Sequence, residues 1–245
     1  FSDGDLFLVE GNYMRDCLLR LGCPENKIQI QRIAIPITKI SFKSRRPKKE
    51  GEKVKLMFCG RFFEKKGILD ALKAVIIARK KNTNFEFHIV GDGPLRNRIR
   101  KIINDHNLNS FVRLYGFMPY LEYLRILNEA DIFIHPSRTA KNGDSEGGAP
   151  TAILEAQAMG MPIISTYHAD IPNIVVPGQS ALLSQEGDEN SIAMNILSLL
   201  DNQTQWSQMG IVGRDFIHTK HDINNEVSLL EEKYSQLINK ASPQC

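Results

Sequence analysis

From Val54 to Leu183 short apolar runs recur, and most of them end at a glycine or a proline. Val54–Cys59 is apolar except for Lys55 and stops at Gly60. Phe85–Val90 stops at Gly91-Asp92-Gly93, Phe111–Tyr115 at Gly116, and Ile132–His135 at Pro136, with Pro162–Ser165 and Ala181–Leu183 further on. Runs this short and this uniformly apolar suit strands buried on both faces. Helical spacing fills the gaps. Lys66 to Arg79 places Ile68, Leu69, Leu72, Val75, Ile76 and Ala78 along one stripe. Pro94 to His106 reads as an amphipathic basic helix, Leu121 to Asn128 as a short one, and the helix after Pro150 stops at Gly160. Strand, turn and helix in repetition predict a parallel sheet covered on both faces. With right-handed crossovers this is an α/β, Rossmann-like, doubly wound layer structure. Helices over about 188–201, 203–218 and 223–240 complete the pattern.

The first 40 residues read separately as strand, helix, strand. Leu6–Val9 is apolar, Leu18, Leu19 and Leu21 lie on a helix ended by Gly22 and Pro24, and Ile28 to Ile35 roughly alternates. Residues 39–53 are basic, with Lys43, Arg45, Arg46, Lys48 and Lys49, and read as a solvated linker or, alternatively, a patch for phosphate or a membrane surface. A net charge of +3 in 245 residues is too small to argue for nucleic acid. Cys17, Cys23, Cys59 and Cys245 form no C-x-x-C pair, which suits reduced thiols and gives no metal-ligand spacing. The chain opens at Phe1 with no charged-then-apolar leader and has no apolar run of membrane-spanning length. These features fit a fragment of a cytoplasmic protein.

In such sheets, ligands bind beyond the carboxyl ends of the strands. Gly60, Arg61, Gly91, Gly116, Ser137 and the loop 142–149 all follow strands and therefore share one rim. Glu146-Gly147-Gly148-Ala149-Pro150 leads into a helix carrying Glu155. The glycines allow close backbone approach, the free N–H groups of the helix start attract phosphate, and Glu155 can accept from hydroxyls. Arg61 can fork onto phosphate oxygens with Lys66 adding a point charge; read alone, the two serve equally well as surface charges balanced by Glu64. Gly91-Asp92-Gly93 reads as a tight strand-to-helix turn, and neither G-x-G-x-x-G nor a P-loop is present. Among six histidines, His88 reads as core, while His135 and His168 face the rim. Asp131 reads as a helix-end or turn contact, and Glu186, Asp188 and Glu189 as a helix cap.

The ordered set G-R-x-x-x-x-K-G, strand-G-D-G-P-L, G-F with L-N-x-A-D-I-F-I-x-P-S, and E-G-G-A-P-x-x-x-L-E-A-x-A-x-G-x-P-I-I-S-T resembles the retaining GT-B glycosyltransferases of glycosyltransferase family 4. The resemblance runs from about Val54 to Ile217. Leu21-Gly22 through Lys27-Ile28 is similar to a turn near the end of that family's N-terminal domain. It implies the C-terminal half of a GT-B fold: 1–40 a remnant of the acceptor domain, 41–53 a basic linker, 54–220 the donor-binding domain and 221–245 a final helix and tail, with most of the N-terminal domain missing.

The implied activity is hexosyl transfer, with retention, from a UDP- or GDP-sugar to a hydroxyl on a glycan or lipid-linked acceptor. Polysaccharide or cell-envelope glycan synthesis at the inner face of the membrane is the implied setting. The implied roles are catalytic for Arg61, Lys66 and Glu146, and nucleotide-sugar binding for Gly60, Gly116, Phe117, Gly147, Gly148, Ala149 and Glu155. No metal is expected, and the fragment alone is expected to transfer little. Two departures stand out. Eight residues rather than seven separate Glu146 from Glu155, and Ala169–Asn173 replaces G-G-x-x-E. A GT-B nucleotide-sugar epimerase and a non-catalytic nucleotide-sugar-binding module remain as alternatives.

Overall fold

The computed structural model describes residues 1–241; Cys245 and the rest of the expected tail lie outside them. β1 (Phe7–Val9), α1 (Asn12–Arg20) and β2 (Ile28–Ile30) form a separate unit in which the two strands pair in parallel. Val9, Cys23 and Ile28 are its buried centre. β2 is shorter than the alternating run 28–35 suggests, because the chain beyond Ile30 leaves the strand and pairs at Ile35 with Asp222.

The main sheet contains β3 (Val54–Cys59), β4 (Phe85–Val90), β5 (Val112–Gly116), β6 (Ile132–Ile134), β7 (Ile163–Thr166) and β8 (Ala181–Ser184). Its order is β5-β4-β3-β6-β7-β8 and every pairing is parallel. The chain builds outward from β3 to β5, returns to the other side of β3, and builds outward again. The reversal between β3 and β6 leaves a gap above their carboxyl ends.

Among the described residues, six helices cover or flank the sheet, α2 (Ile68–Arg79), α3 (Arg96–Asp105), α4 (Tyr120–Glu129), α5 (Thr151–Ala158), α6 (Glu189–Asp201) and α7 (Trp206–Lys220), and α8 (Ile223–Ala241) follows them. Side chains alternate across the strands. Leu56, Phe58, Phe87 and Ile89 therefore pack with Leu72, Val75, Ile99 and Ile196 on one face. Met57, Phe133 and Ile163 pack with Leu127, Ile153, Leu154 and Ile217 on the other. Both faces are buried, which is why the strands lack polar alternation. The stretch 203–205 is a 3₁₀ turn, so α7 starts at Trp206, whose ring is fully buried and whose indole N–H donates to the Leu199 carbonyl.

The basic stretch is not a freely solvated linker. Arg45 is only 2% exposed, and its guanidinium donates to the carbonyls of Lys43, Ala130 and Met159. Lys43 donates to the Asn128 carbonyl, and Lys48 pairs with Asp131 at 2.8 Å. The physical reason is that helix ends leave carbonyls without partners. Those at the ends of α4 and α5 recruit these cations. Asp131 is thus an anchor for the basic stretch as well as the acceptor of the Lys55 N–H. Cys17, Cys23 and Cys59 are free thiols.

The last helix returns to the first unit. Glu226 accepts from the Arg32 N–H and the Gln31 side chain, and Lys233 donates to the Ile30 carbonyl. No helix among the described residues is long and apolar enough to cross a membrane.

Candidate functional site

Above the gap between β3 and β6 lies a crevice of about 320 Å³. Its lining includes Gly60, Arg61, Lys66, His135, Pro150 and Glu155, so the two cations and the helix carboxylate expected from the sequence share one depression. A second crevice of about 370 Å³ adjoins it, bordered by Val90, Gly91, Asp92, Phe117 and Met118. Cys59, Gly60, Arg61, Tyr120 and Tyr123 border both.

Local packing fixes each member. Phe62 is fully buried and its N–H donates to the Asp92 carbonyl, so Arg61 beside it projects outward, its guanidinium 5.4 Å from the Phe63 ring centre. Lys66 closes a 3₁₀ turn that Gly67 ends at φ 71°, ψ 16°. A Cβ on Gly67 would sit 1.7 Å from the Pro136 carbonyl oxygen, so only glycine lets this turn lie against the end of β6.

Lys66 reaches across to Glu146, with its Nζ 2.7 and 2.9 Å from the two carboxylate oxygens. The Ser137 hydroxyl donates to the same carboxylate at 3.3 Å. Glu146 therefore meets the crevice through Lys66. His168 sets the backbone beneath it. Its Nε2 accepts from the Glu146 N–H at 3.1 Å, and its Nδ1 lies 2.6 Å from Glu186. An amide N–H can only donate, so Nε2 is bare and the ring proton sits on Nδ1, donated to Glu186. Glu186 also accepts from the Thr139 N–H. Burial raises its pKa, but Thr139 and His168 outweigh that and leave it lowered. Asp188 does cap α6, through the Ser191 N–H, whereas Glu186 leaves the expected cap to serve this loop.

Glu155 is held by two phenols that were not foreseen. Tyr120 donates to Oε1 at 2.8 Å and Tyr123 to Oε2 at 2.9 Å. Burial raises the Glu155 pKa, and both phenols oppose the rise. The signal in the sequence was a Tyr-x-x-Tyr spacing that puts both rings on one side of a helix. His135 forms the floor, 1% exposed and stacked 5.2 Å from Phe58. Burial, and secondarily Lys66, push its pKa down to about 3, so the ring is neutral.

The other expected residues lie around this centre. Phe117 is 84% exposed and borders the second crevice. Gly116 precedes it at φ 80°, and its carbonyl accepts from the Gly91 N–H. Gly147, Gly148 and Ala149 do not line the first crevice, where Pro150, Thr151 and Ala152 stand instead. The first unit leans over that loop: Met14 lies 3.6 Å from a Cβ placed on Gly147, and Glu10 fills the space beside Gly148. Burial, then Asp170, raise the pKa of Glu10. Asp170 in turn accepts from the Tyr13 N–H.

Two cations, a neutral imidazole and a carboxylate within one depression can hold a di-anion next to hydroxyl groups. Comparisons with known proteins agree in kind. The family model described as glycosyl transferases group 1 matches residues 39–216. The chain is 32% identical over 227 residues to the putative colanic acid biosynthesis glycosyltransferase WcaL of Escherichia coli, covering 93% of this chain and 55% of that protein. It is 33% identical over 220 residues to the amylovoran biosynthesis glycosyltransferase AmsK of Erwinia amylovora, covering 90% and 53%. The chain thus spans about half the length of the curated relatives it matches. Among solved structures, Anabaena Alr3699/HepE in complex with UDP and glucose superposes with a TM-score of 0.79 at 14% identity, over 94% of this chain and 63% of that one. The apo lipopolysaccharide outer core galactosyltransferase WaaB gives 0.75 at 17% identity, over 95% and 62%. The fold is that of GT-B glycosyltransferases, and the chain belongs to the group 1 glycosyltransferase family.

Proposed function

We propose that this chain is the donor half of a retaining hexosyltransferase that takes a UDP- or GDP-sugar. Residues 54–220 form the donor domain, with 1–40 completing an upstream acceptor domain, 41–53 joining them and α8 (Ile223–Ala241) returning across both. Arg61 and Lys66 grip the diphosphate, and Glu155 accepts from the ribose hydroxyls. Phe117, after Gly116, walls the slot for the base. Glu146 accepts from hydroxyls of the donor sugar, with Gly147, Gly148 and Ala149 offering amides nearby. The acceptor is a hydroxyl of a growing glycan or lipid-linked saccharide, in line with the polysaccharide roles named for the relatives from E. coli and E. amylovora.

The chemical difficulty is charge. As the glycosidic bond breaks, the diphosphate gains negative charge and the sugar becomes oxocarbenium-like. Preorganised cations lower that barrier because they need no rearrangement at the moment of reaction. Neither carboxylate is free to act as a nucleophile: Glu146 is paired with Lys66, and Glu155 is taken by phenols. Same-face attack, guided by the leaving phosphate, is the mechanism in keeping with this.

The observation that carries the proposal is the shared crevice of Arg61, Lys66 and Glu155. Calorimetric titration with UDP, GDP and ADP tests it. One of the three should bind, and Arg61→Ala should abolish most of that binding. No binding of any, or binding indifferent to Arg61, would sink the proposal. Assay of transfer against epimerisation by the protein carrying its upstream domain then identifies the reaction.

A further inference from the structure

We propose that Tyr120 is an exchangeable positioning residue: its phenol holds the Glu155 carboxylate while the crevice is empty and yields it to the ribose of an incoming nucleotide, whereas Tyr123 holds it throughout. The inference rests on the reading of Glu155 as the ribose acceptor.

The two phenols make matching hydrogen bonds, 2.8 and 2.9 Å, to opposite oxygens of one carboxylate. Their surroundings differ. Tyr123 is 6% exposed and packs in the core beside Ile126 and Leu127. Its ring cannot leave without opening a cavity, which dense packing opposes. Tyr120 is 50% exposed, stands at the first position of α4 directly after Pro119, and lies outside the core clusters. Its side chain can turn outward at little cost.

Its location gives that movement a consequence. Tyr120 borders both the crevice of Arg61, Lys66 and Glu155 and the neighbouring one of Phe117 and Met118. A nucleoside diphosphate has to lie across both, with its ribose between base and phosphates. The Tyr120 phenol occupies the Oε1 side of Glu155 at that midpoint. A ribose diol offers the same chemistry, a hydroxyl donating to a carboxylate. A buried carboxylate without donors is costly. The phenol keeps Glu155 satisfied until a ribose hydroxyl replaces it, so the empty site retains its geometry and the exchange conserves hydrogen bonds.

This predicts opposite signs for two deletions of the same atom. Tyr120→Phe removes a competitor of the ribose; Tyr123→Phe removes a support. The 245-residue protein is titrated with whichever of UDP, GDP and ADP binds most tightly, and with its 2′,3′-dideoxy counterpart. Tyr120→Phe should tighten the ribonucleotide about three- to tenfold, and Tyr123→Phe should weaken it about tenfold, as expected for one hydrogen bond to a charged group. The dideoxynucleotide should show no gain from Tyr120→Phe. Tyr120→Leu, which suits a half-exposed helix position, provides a second phenol-free variant. Weakening by both Tyr120 variants, or an equal gain with the dideoxynucleotide, overturns the inference while leaving the donor site intact. Failure of wild-type protein to bind any of the three nucleotides removes the donor reading and this inference together.

Discussion

Replacing Lys66 with methionine leaves Glu146 facing the Ser137 hydroxyl as its remaining side-chain donor. The two side chains are only 15% and 10% exposed, so solvent screens the pair weakly. At 2.7 Å the gross attraction in an effective dielectric of about 20 is about 6 kcal/mol, most of which desolvation cancels. Removing one partner of a buried pair costs about 3–5 kcal/mol. The open crevice mouth and Ser137 bring this pair just below that range, to about 2–3 kcal/mol, or roughly 5–10 °C in Tm for a chain of this size. Glu146→Gln retains an amide oxygen to accept from Lys66 and should cost about 1 kcal/mol. The double variant should recover part of the loss, with a coupling of about 1–2 kcal/mol between the sites. Urea unfolding of the four proteins measures this directly. A coupling below about 0.5 kcal/mol would mean that the pair does not organise the loop, and the account of how Glu146 reaches the crevice would be wrong.

Three further outcomes are expected. Gly67→Ala should destabilise by about 3 kcal/mol or more, since it adds a left-handed penalty to a backbone collision, and a melting temperature within about 2 °C of wild type would refute it. Glu155→Gln should become increasingly stabilising relative to wild type as pH rises from below 4.5, the ordinary value for an unfolded carboxylate. The sign follows from the raised folded pKa: the native state holds that proton more tightly, so ionisation costs stability through and above this window, and a flat difference in Tm across pH 3–8 would contradict it. Phe117→Ala should weaken nucleotide binding by about 1–3 kcal/mol through lost base stacking, measured by calorimetry, while leaving Tm within about 2 °C because the ring is exposed.

The strands and helices of the main sheet were readable because burial on both faces forces continuous apolar runs, and the turns between them need glycine. Val54–Cys59 and Phe85–Val90 are the strands expected, residue for residue. The strand order was not readable, since β3 beside β6 is a tertiary pairing that no local pattern encodes. Arg61, Lys66 and Glu155 were legible as charged residues next to glycine turns. Tyr120 and Tyr123 were not, because a phenol at apolar helical spacing looks like core until its hydroxyl finds a carboxylate 32 or 35 residues away. Arg45 and Lys48 misled for a related reason. Composition marks them as solvated, whereas the helix-end carbonyls and Asp131 that bind them are far along the chain.

The buried Arg45, together with Arg214, whose guanidinium donates to the carbonyls of Ile37, Ile40 and Ala158, has a mechanical consequence. From Ile37 onward the incoming chain is bolted to the main sheet and cannot flex independently of it. Gln31 donates to the Val9 carbonyl and Arg32 to Glu226, so a pivot between the first unit and that sheet falls at 33–36. There Ile35 is laced to 221–223, so the return crossing has to bend with it. Opening and closing would then bend two crossings of the chain together rather than a single tether, with α8 moving alongside the first unit to which it is bonded.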